Sequence, residues 1–239
     1  MTLLRLINWN IERRGPHTWQ VKSLIEEIGC YRPDLLFLTE AHDNSTRALG
    51  GHSISHRGYR ANHKVDSERL ALLWSASPWE QLSVPNKIEA AGGAVLGRTE
   101  IKDESLTCLC LCIPYHMAKL PGETRTRPWH YHDQFLTLIA PWIRALAQSE
   151  ERLIIAGDFN RRMPRGWGPK RSYELMERAF ENTRIVTSGQ LEPLNEKTID
   201  HVAISGGIKP QSVRALSQFE KDGRPRSDHF GVLADLELT

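Results

Sequence analysis

The chain has 239 residues, 40% of them hydrophobic and 25% charged, with 31 Lys and Arg against 29 Asp and Glu. A chain of that length buries roughly 70–75% of the surface its unfolded form exposes, and this apolar content with mixed charge excludes a disordered polymer. No apolar run approaches the ~18 residues of a membrane span, and a net charge of +2 makes no global case for nucleic acid, so any such case rests on where the charges lie.

The N-terminus enters a strand pattern at once (LLRLINWNI, 3–11), which leaves no room for a signal peptide. The expectation is a soluble cytoplasmic protein in which residues 1–239 form one domain, with no membrane partner. Val21, Leu24, Ile25 and Ile28 then mark one helical stripe. Strand-length apolar runs follow at 34–40 (DLLFLTE), 69–76 (RLALLWSA), 94–101 (AVLGRTEI) and 106–113 (LTCLCLCI). The last run puts Cys108, Cys110 and Cys112 on one strand face. Neighbours two apart do not make a metal knuckle, so the trio reads as buried thiols in a reducing compartment, with Cys30 at a helix end. Phe135, Leu138, Ile139, Trp142, Ile143 and Leu146 predict a stronger helix, with Asp133 as N-cap and a kink at Pro141. RLIIAGDF (152–159) is the next strand, a weaker helix runs from Ser172 to about Phe180, and IDHVAIS (199–205) and HFGVLADLEL (229–238) close the chain.

Polar residues interrupt these strands in a pattern. Leu4 and Leu6 share a face with Asn8 and Asn10, Leu36 and Leu38 with Glu40, and Ile154 and Ala156 with Asp158 and Asn160. Each apolar face turns polar at the C-terminal end of its strand, whereas Asp200 and the pair Asp228 and His229 stand at N-terminal ends. For all of them to meet at one edge, the second set of strands must run opposite to the first. That disfavours an all-parallel sheet and favours antiparallel pairing in two face-to-face sheets under helices. Taken singly, each residue reads as turn chemistry. Together, four carboxylates ending apolar strands (Glu40, Asp158, Asp200 and Asp228) are costly to desolvate without a nearby cation, and oxygen ligands suit Mg²⁺ or Mn²⁺ better than zinc.

The ordered set N-W-N-I-E (Asn8 to Glu12), L-T-E (Leu38 to Glu40), G-D-F-N (Gly157 to Asn160), I-D-H (Ile199 to His201) and S-D-H (Ser227 to His229) resembles the endonuclease/exonuclease/phosphatase superfamily. The motifs cover nearly the whole chain in the family's order, and G-D-F-N with a terminal S-D-H is the specific part. The resemblance implies a DNase I-like four-layer α/β sandwich, with two packed mixed or antiparallel sheets flanked by helices, and metal-assisted attack of water on a phosphoester. It implies Glu40 as the principal metal ligand, Asn10 and Glu12 close to metal or phosphate, and Asp228 as a further metal or water ligand. It makes Asp158 the residue that orients or deprotonates water, Asn160 a holder of water and phosphate, and Asp200 with His229 a paired carboxylate and imidazole. Family members also place a His or Tyr at the end of the strand before G-D-x-N. Here CIPYHM offers Tyr115 and His116, or Cys112 if the proline is aligned; His116 is the choice, and the missing Tyr-x-Pro argues against an abasic endonuclease.

Basic residues adjoin every motif. Arg161, Arg162, Arg165, Lys170 and Arg171 follow Asn160; Lys119, Arg125 and Arg127 follow His116; Lys221, Arg224 and Arg226 precede Asp228; Arg13 and Arg14 follow Glu12. With Trp129 and Trp167 interleaved, they are expected to ring one mouth and suit a polyanion; the plainer alternative is solvated surface with each Trp packed under its loop. The leading expectation is a Mg²⁺- or Mn²⁺-dependent nuclease, a monomer acting on DNA or RNA, with Arg161, Arg162, Arg165, Trp167, Arg125, Arg127 and Tyr115 on the substrate. The alternative is a phosphatase or phosphodiesterase for a small phosphorylated molecule or a lipid headgroup of phosphoinositide or sphingomyelin type. A non-catalytic phosphate-binding module is a third reading, which the complete carboxylate set disfavours.

Overall fold

Central strands that are apolar on both faces need cover on both sides, and that requirement sets the layers. The computed structural model describes residues 2–56, 65–91, 93–119 and 124–239. In chain order the elements are β1 (Thr2–Asn10), α1 (Trp19–Tyr31), β2 (Leu35–His42), β3 (His52–Ser55), β4 (Glu68–Ser75), β5 (Trp79–Leu82), α2 (Asn86–Ala91), β6 (Gly93–Ile101) and β7 (Glu104–Cys112). They continue with α3 (His130–Ser149), β8 (Leu153–Asp158), α4 (Lys170–Ala179), β9 (Arg184–Ile185), β10 (Gln190–Leu191), β11 (Glu196–Lys197), β12 (Asp200–Ile204), β13 (Ile208–Leu216) and β14 (Gly231–Leu238).

Two six-stranded sheets form, in the orders β13-β14-β1-β2-β4-β3 and β5-β6-β7-β8-β12-β9, with β10 and β11 as a separate pair. Leu4, Leu6, Phe37 and Leu73 of the first sheet meet Val95, Cys108, Cys110, Ile154 and Ala156 of the second in one buried core between them. Ile7, Trp9, Leu36 and Leu38 pack outward against Val21, Leu24, Ile25 and Ile28 of α1. Leu109, Leu111 and Ile155 pack outward against Phe135, Ile139 and Ile143 of α3 and Met176 of α4. The result is the expected four-layer α/β sandwich of DNase I type.

Strand direction follows the expectation drawn from the polar ends. β1 runs parallel to β2 and antiparallel to β14, and β8 runs parallel to β7 and antiparallel to β12. The C-terminal ends of β1 and β8 therefore lie beside the N-terminal ends of β14 and β12. Three local expectations need correction. Leu36 and Leu38 face α1 rather than the inter-sheet core, and Glu40 leaves the two-residue alternation through a positive φ of 51°. Asp133 is not the N-cap of α3: the helix starts at His130, is capped by Trp129 in the left-handed region, and continues through Pro141 to Ser149. The weaker helix starts at Lys170, two residues early, after an extended Pro169. Cys108, Cys110 and Cys112 are buried, whereas Cys30 is exposed.

Gly157, one residue before the end of β8, adopts φ +141°, and a Cβ there would lie 1.9 Å from the Leu111 carbonyl oxygen on β7. The strain and the clash act together, so Gly157→Ala should cost about 2–4 kcal/mol of unfolding free energy, read as a lowered urea midpoint.

Candidate active site

The strand ends deliver the polar groups in register. Asp158, the last residue of β8, lies directly opposite Asp200, the first of β12, and the Phe159 amide donates to the Ile199 carbonyl to close the pair. His229 arrives on the turn before β14. The Ser227 hydroxyl donates to the Asn10 carbonyl and accepts from the His229 amide, and the Trp9 indole N–H donates to the His229 carbonyl. The end of β1 thus fixes the turn that carries the imidazole. His229 Nδ1 lies 2.6 Å from Asp200 Oδ2. Ligand atoms of Asp158, Asp200 and His229 all fall within 4.8 Å of one another.

Amides hold Asp158. Asn10 Nδ2 donates to its Oδ2 at 3.1 Å, Asn160 Nδ2 donates to the same oxygen at 3.0 Å, and the Asn160 amide donates to Oδ1 at 2.8 Å. Asn160 reaches this position with φ 53°, and its Nδ2 also donates to the Ile113 carbonyl beyond β7. Burial raises the proton affinity of Asp158 and the neighbouring Asp200 raises it further; His229 and the Asn160 amide pull the other way, and Glu40 adds to the rise. Burial alone would lower the His229 pKa, but the charge of Asp200 and its hydrogen bond, with Asp158 and Asp228 behind them, lift it to about 10. Asp200 thus favours the protonated imidazole of His229, with Nδ1 directed at the carboxylate.

A donor set of this kind fits a hard cation. Asp158 and Asp200 are buried acceptor-only groups, and Asp200 Oδ1 has no hydrogen-bond partner among the described residues. A bare carboxylate oxygen beside a second carboxylate is what an oxygen-coordinated divalent ion satisfies.

Residues 7–229 match the model of the Endonuclease/Exonuclease/phosphatase family. The chain belongs to this family. It is a family of phosphoester hydrolases and generally metal-dependent. A family protein from Bacteroides thetaiotaomicron shares the fold with TM-score 0.70 at 14% identity, over 100% of this chain and 98% of that one. The catalytic domain of human Nocturnin with bound sulfate gives 0.65 at 17%, over 99% and 94%. D. rerio TDP2 complexed with single strand DNA product gives 0.65 at 13%, over 99% and 100%. At these identities the likeness is one of fold. No curated protein matches the chain.

The family's other motif residues surround the three-residue group rather than join it. Glu40 is close enough to act on the Asp158 charge but pairs with Arg13 at 3.2 Å. Glu12 pairs with Arg14 at 2.8 Å. Asn10 Oδ1 accepts the Glu12 amide at 2.9 Å. Asp228 is exposed, with Oδ1 at 3.9 Å from His229 Nε2. Cys112 lies opposite Asp158 in register, while His116 and Tyr115 sit farther along that loop, the His116 ring 5.0 Å from Trp167 and 5.5 Å from Trp129. Arg162, Arg165, Arg125 and Arg127 are exposed.

Arg161 and Arg226 are not rim residues. Arg161 is only 2% exposed, donates from Nη2 to the Pro169 carbonyl, and places its guanidinium 4.7 Å from the Trp129 ring centre. Arg226 is buried, pairs with Glu27 and donates to the Ser217 carbonyl. Trp129 is buried as well. Both guanidiniums tie loop carbonyls inside the protein.

Sequence reasoning missed two supports. Asn8 Nδ2 donates to the Gly157 and His201 carbonyls, joining β1 to β8 and β12 across the two sheets beneath the site; its place on the Leu4 and Leu6 face was the available signal. His201 lies 2.8 Å by Nε2 from the Arg161 carbonyl and 2.7 Å by Nδ1 from the Thr187 hydroxyl. A carbonyl only accepts, so Nε2 donates and Nδ1 accepts, which fixes one neutral tautomer. Burial lowers the pKa of His201 to about 4, and that of His132 likewise.

A histidine titrating near 6.5 when unfolded and near 4 when folded favours the fold above pH 6.5, and that contribution drains away as pH falls towards 4. The melting temperature should therefore drop by about 5 °C or more between pH 6.5 and 4.5, and His201→Gln should flatten that slope. Differential scanning calorimetry across the window checks both.

Proposed function

We propose that this chain is a metal-dependent phosphodiesterase, a nuclease that cuts DNA or RNA by attack of water, acting in the cytoplasm as a single-domain monomer. The observation that carries this reading is the group of buried Asp158 and Asp200 with half-buried His229 at the meeting point of four strand ends, in a member of a phosphoester hydrolase family. Asp158, Asp200 and Glu40 are the side chains that would hold Mg²⁺ or Mn²⁺, with Asp228, Glu12 and Asn10 at the edge. Such a cation, when bound, neutralises the phosphoryl group and stabilises the leaving oxygen.

The chain's own groups supply the remainder. Asp158, steered by the Asn10 and Asn160 amides, orients water and takes its proton. The His229 imidazolium, held in place by Asp200, gives a charge-assisted hydrogen bond to a phosphoryl oxygen. Asn160 steadies water and phosphate, and His116 is the candidate for a further phosphate contact. Exposed Arg125, Arg127, Arg162 and Arg165 on the loops after β7 and β8 support a polyanionic substrate, as does the DNA-bound D. rerio TDP2 among the similar folds. The second reading, a small phosphorylated molecule, is favoured by a cavity of about 140 Å³ beside Asp200 and His229, with Arg162 and Lys197 in its lining.

Asp158→Asn and His229→Ala should each lower turnover by at least ~100-fold with the circular-dichroism spectrum kept, and a chelator should abolish cleavage. Near-wild-type rates in either variant remove that residue from the mechanism. Affinity for a nucleic-acid strand should fall with salt at a log–log slope of about −0.9 per phosphate contacted on duplex; a flat response with efficient hydrolysis of inositol phosphates would favour the small-substrate reading.

A further inference from the structure

Seven large hydrophobic side chains stand exposed among the described residues, and three of them, Tyr115, Met117 and Trp167, lie on the two loops that leave β7 and β8. Those loops start at the catalytic group: Cys112 ends β7 opposite Asp158, and Asn160 donates to the Ile113 carbonyl. Tyr115 is 51% and Trp167 62% exposed. The two aromatics converge on His116, whose ring takes Trp167 edge-on at 5.0 Å and Tyr115 edge-on at 6.0 Å. Trp129 lies beneath, 5.3 Å from Trp167.

The loop that presents Trp167 is pinned rather than slack. Its Arg161 carbonyl accepts from His201, and its Met163 carbonyl accepts from the Gly189 amide. Arg161 holds the Pro169 carbonyl and Arg165 the Gly168 carbonyl. Gly168, at φ +87°, lies so close to Trp129 that a Cβ would sit 2.5 Å from its ring. Three exposed apolar side chains on two adjoining loops, one of them tied in this way, make the kind of surface that marks an interaction site. The same two loops expose Arg125, Arg127, Arg162 and Arg165, so the partner that fits is a flat ring carried on an anionic backbone.

We infer that Trp167, with Tyr115, is a stacking platform for an unpaired nucleobase beside the phosphate to be cut, and that the substrate is a single-stranded or splayed nucleic acid rather than an intact duplex. The inference rests on the phosphodiesterase reading for the position of that phosphate. In a duplex each base face is already covered by its neighbours, so only an unstacked base can lie on the indole, and aromatic stacking of this kind tolerates any base. Arg161 and Gly168 are positioning residues that hold the platform.

Fluorescence anisotropy with the full chain in chelator, which keeps strands whole, tests this. The probes are labelled eight-nucleotide oligothymidylate and oligouridylate, an abasic strand of the same length and charge, and a blunt duplex. A base-bearing strand should bind about tenfold more tightly than the abasic one, Trp167→Ala should bring the two within about twofold, and Trp167→Phe should keep most of the preference. Running both sugars shows which strand the site accepts, and either exceeding the abasic strand supports the platform. Equal binding of base-bearing and abasic strands, binding to neither, equal binding of the duplex, or a preference that survives Trp167→Ala overturns it. Mg²⁺-dependent hydrolysis of a base-free diester is scored on the same chain, and its absence sinks the phosphodiesterase reading whatever the binding arms give.

Discussion

Asp158 and Asp200 face each other on antiparallel strands, in register and almost wholly shielded from water, and the surrounding structure is arranged around their mutual repulsion. Two like charges within 4.8 Å repel by about 3–4 kcal/mol at an effective dielectric of 20, several times what an exposed ion pair such as Arg13 with Glu40 contributes. Neutral amides from Asn10 and Asn160 soften one carboxylate, and the His229 imidazolium answers the other. One buried oxygen of Asp200 is left over. That bare oxygen, beside a second carboxylate whose proton affinity the repulsion raises, is where the donor set accommodates a divalent cation.

The sandwich is what makes such a group tolerable. Each member stands on or beside the end of a strand whose other residues are locked in a core: Ile154 and Ala156 below Asp158, Val202 and Ile204 after Asp200, Val232 and Ala234 after His229. Asn8 stitches the two sheets one step beneath the acids, and Trp9 and Ser227 clamp the imidazole turn to β1. Groups supported in this way cannot relax apart to relieve the repulsion. The strain against separation is spread over two sheets, so the unfavourable pair is held by the burial of a core far larger than itself.

How much of this could be read beforehand depended on whether a residue obeyed a local period. Leu4, Leu6, Asn8 and Asn10, and Ile154, Ala156 and Asp158, keep the two-residue alternation, so their common faces were visible in the sequence, and the opposite placement of Asp200 and His229 carried the strand directions. Glu40 was misread in its surroundings, because Leu36 and Leu38 belong to the face under α1 and a positive φ redirects the chain between them and the carboxylate. The burial of Arg161 and Arg226 was illegible for a different reason: Trp129 and Glu27 come from another loop and a helix, Pro169 and Ser217 stand eight and nine residues away, and nothing within a few residues marks a guanidinium that will face inward. The tautomer of His201 depends likewise on Thr187 and on a carbonyl forty residues away.

Arg161 and Arg162 are neighbours in sequence with opposite fates, and the contrast explains how one loop can be both rigid and open to change. The buried guanidinium gives its charge to the loop, stacking on Trp129 and bonding Pro169, with burial tending to lower its pKa. Its neighbour is left facing water. Because the pinning contacts use Arg161, Arg165, Gly168 and backbone carbonyls, side chains at positions 162 and 167 can vary without loosening the strand end that carries Asp158. Recognition is in that sense mechanically separable from chemistry here: the acids are fixed by the sheets, and the outward side chains of a tied loop remain free to select what those acids meet.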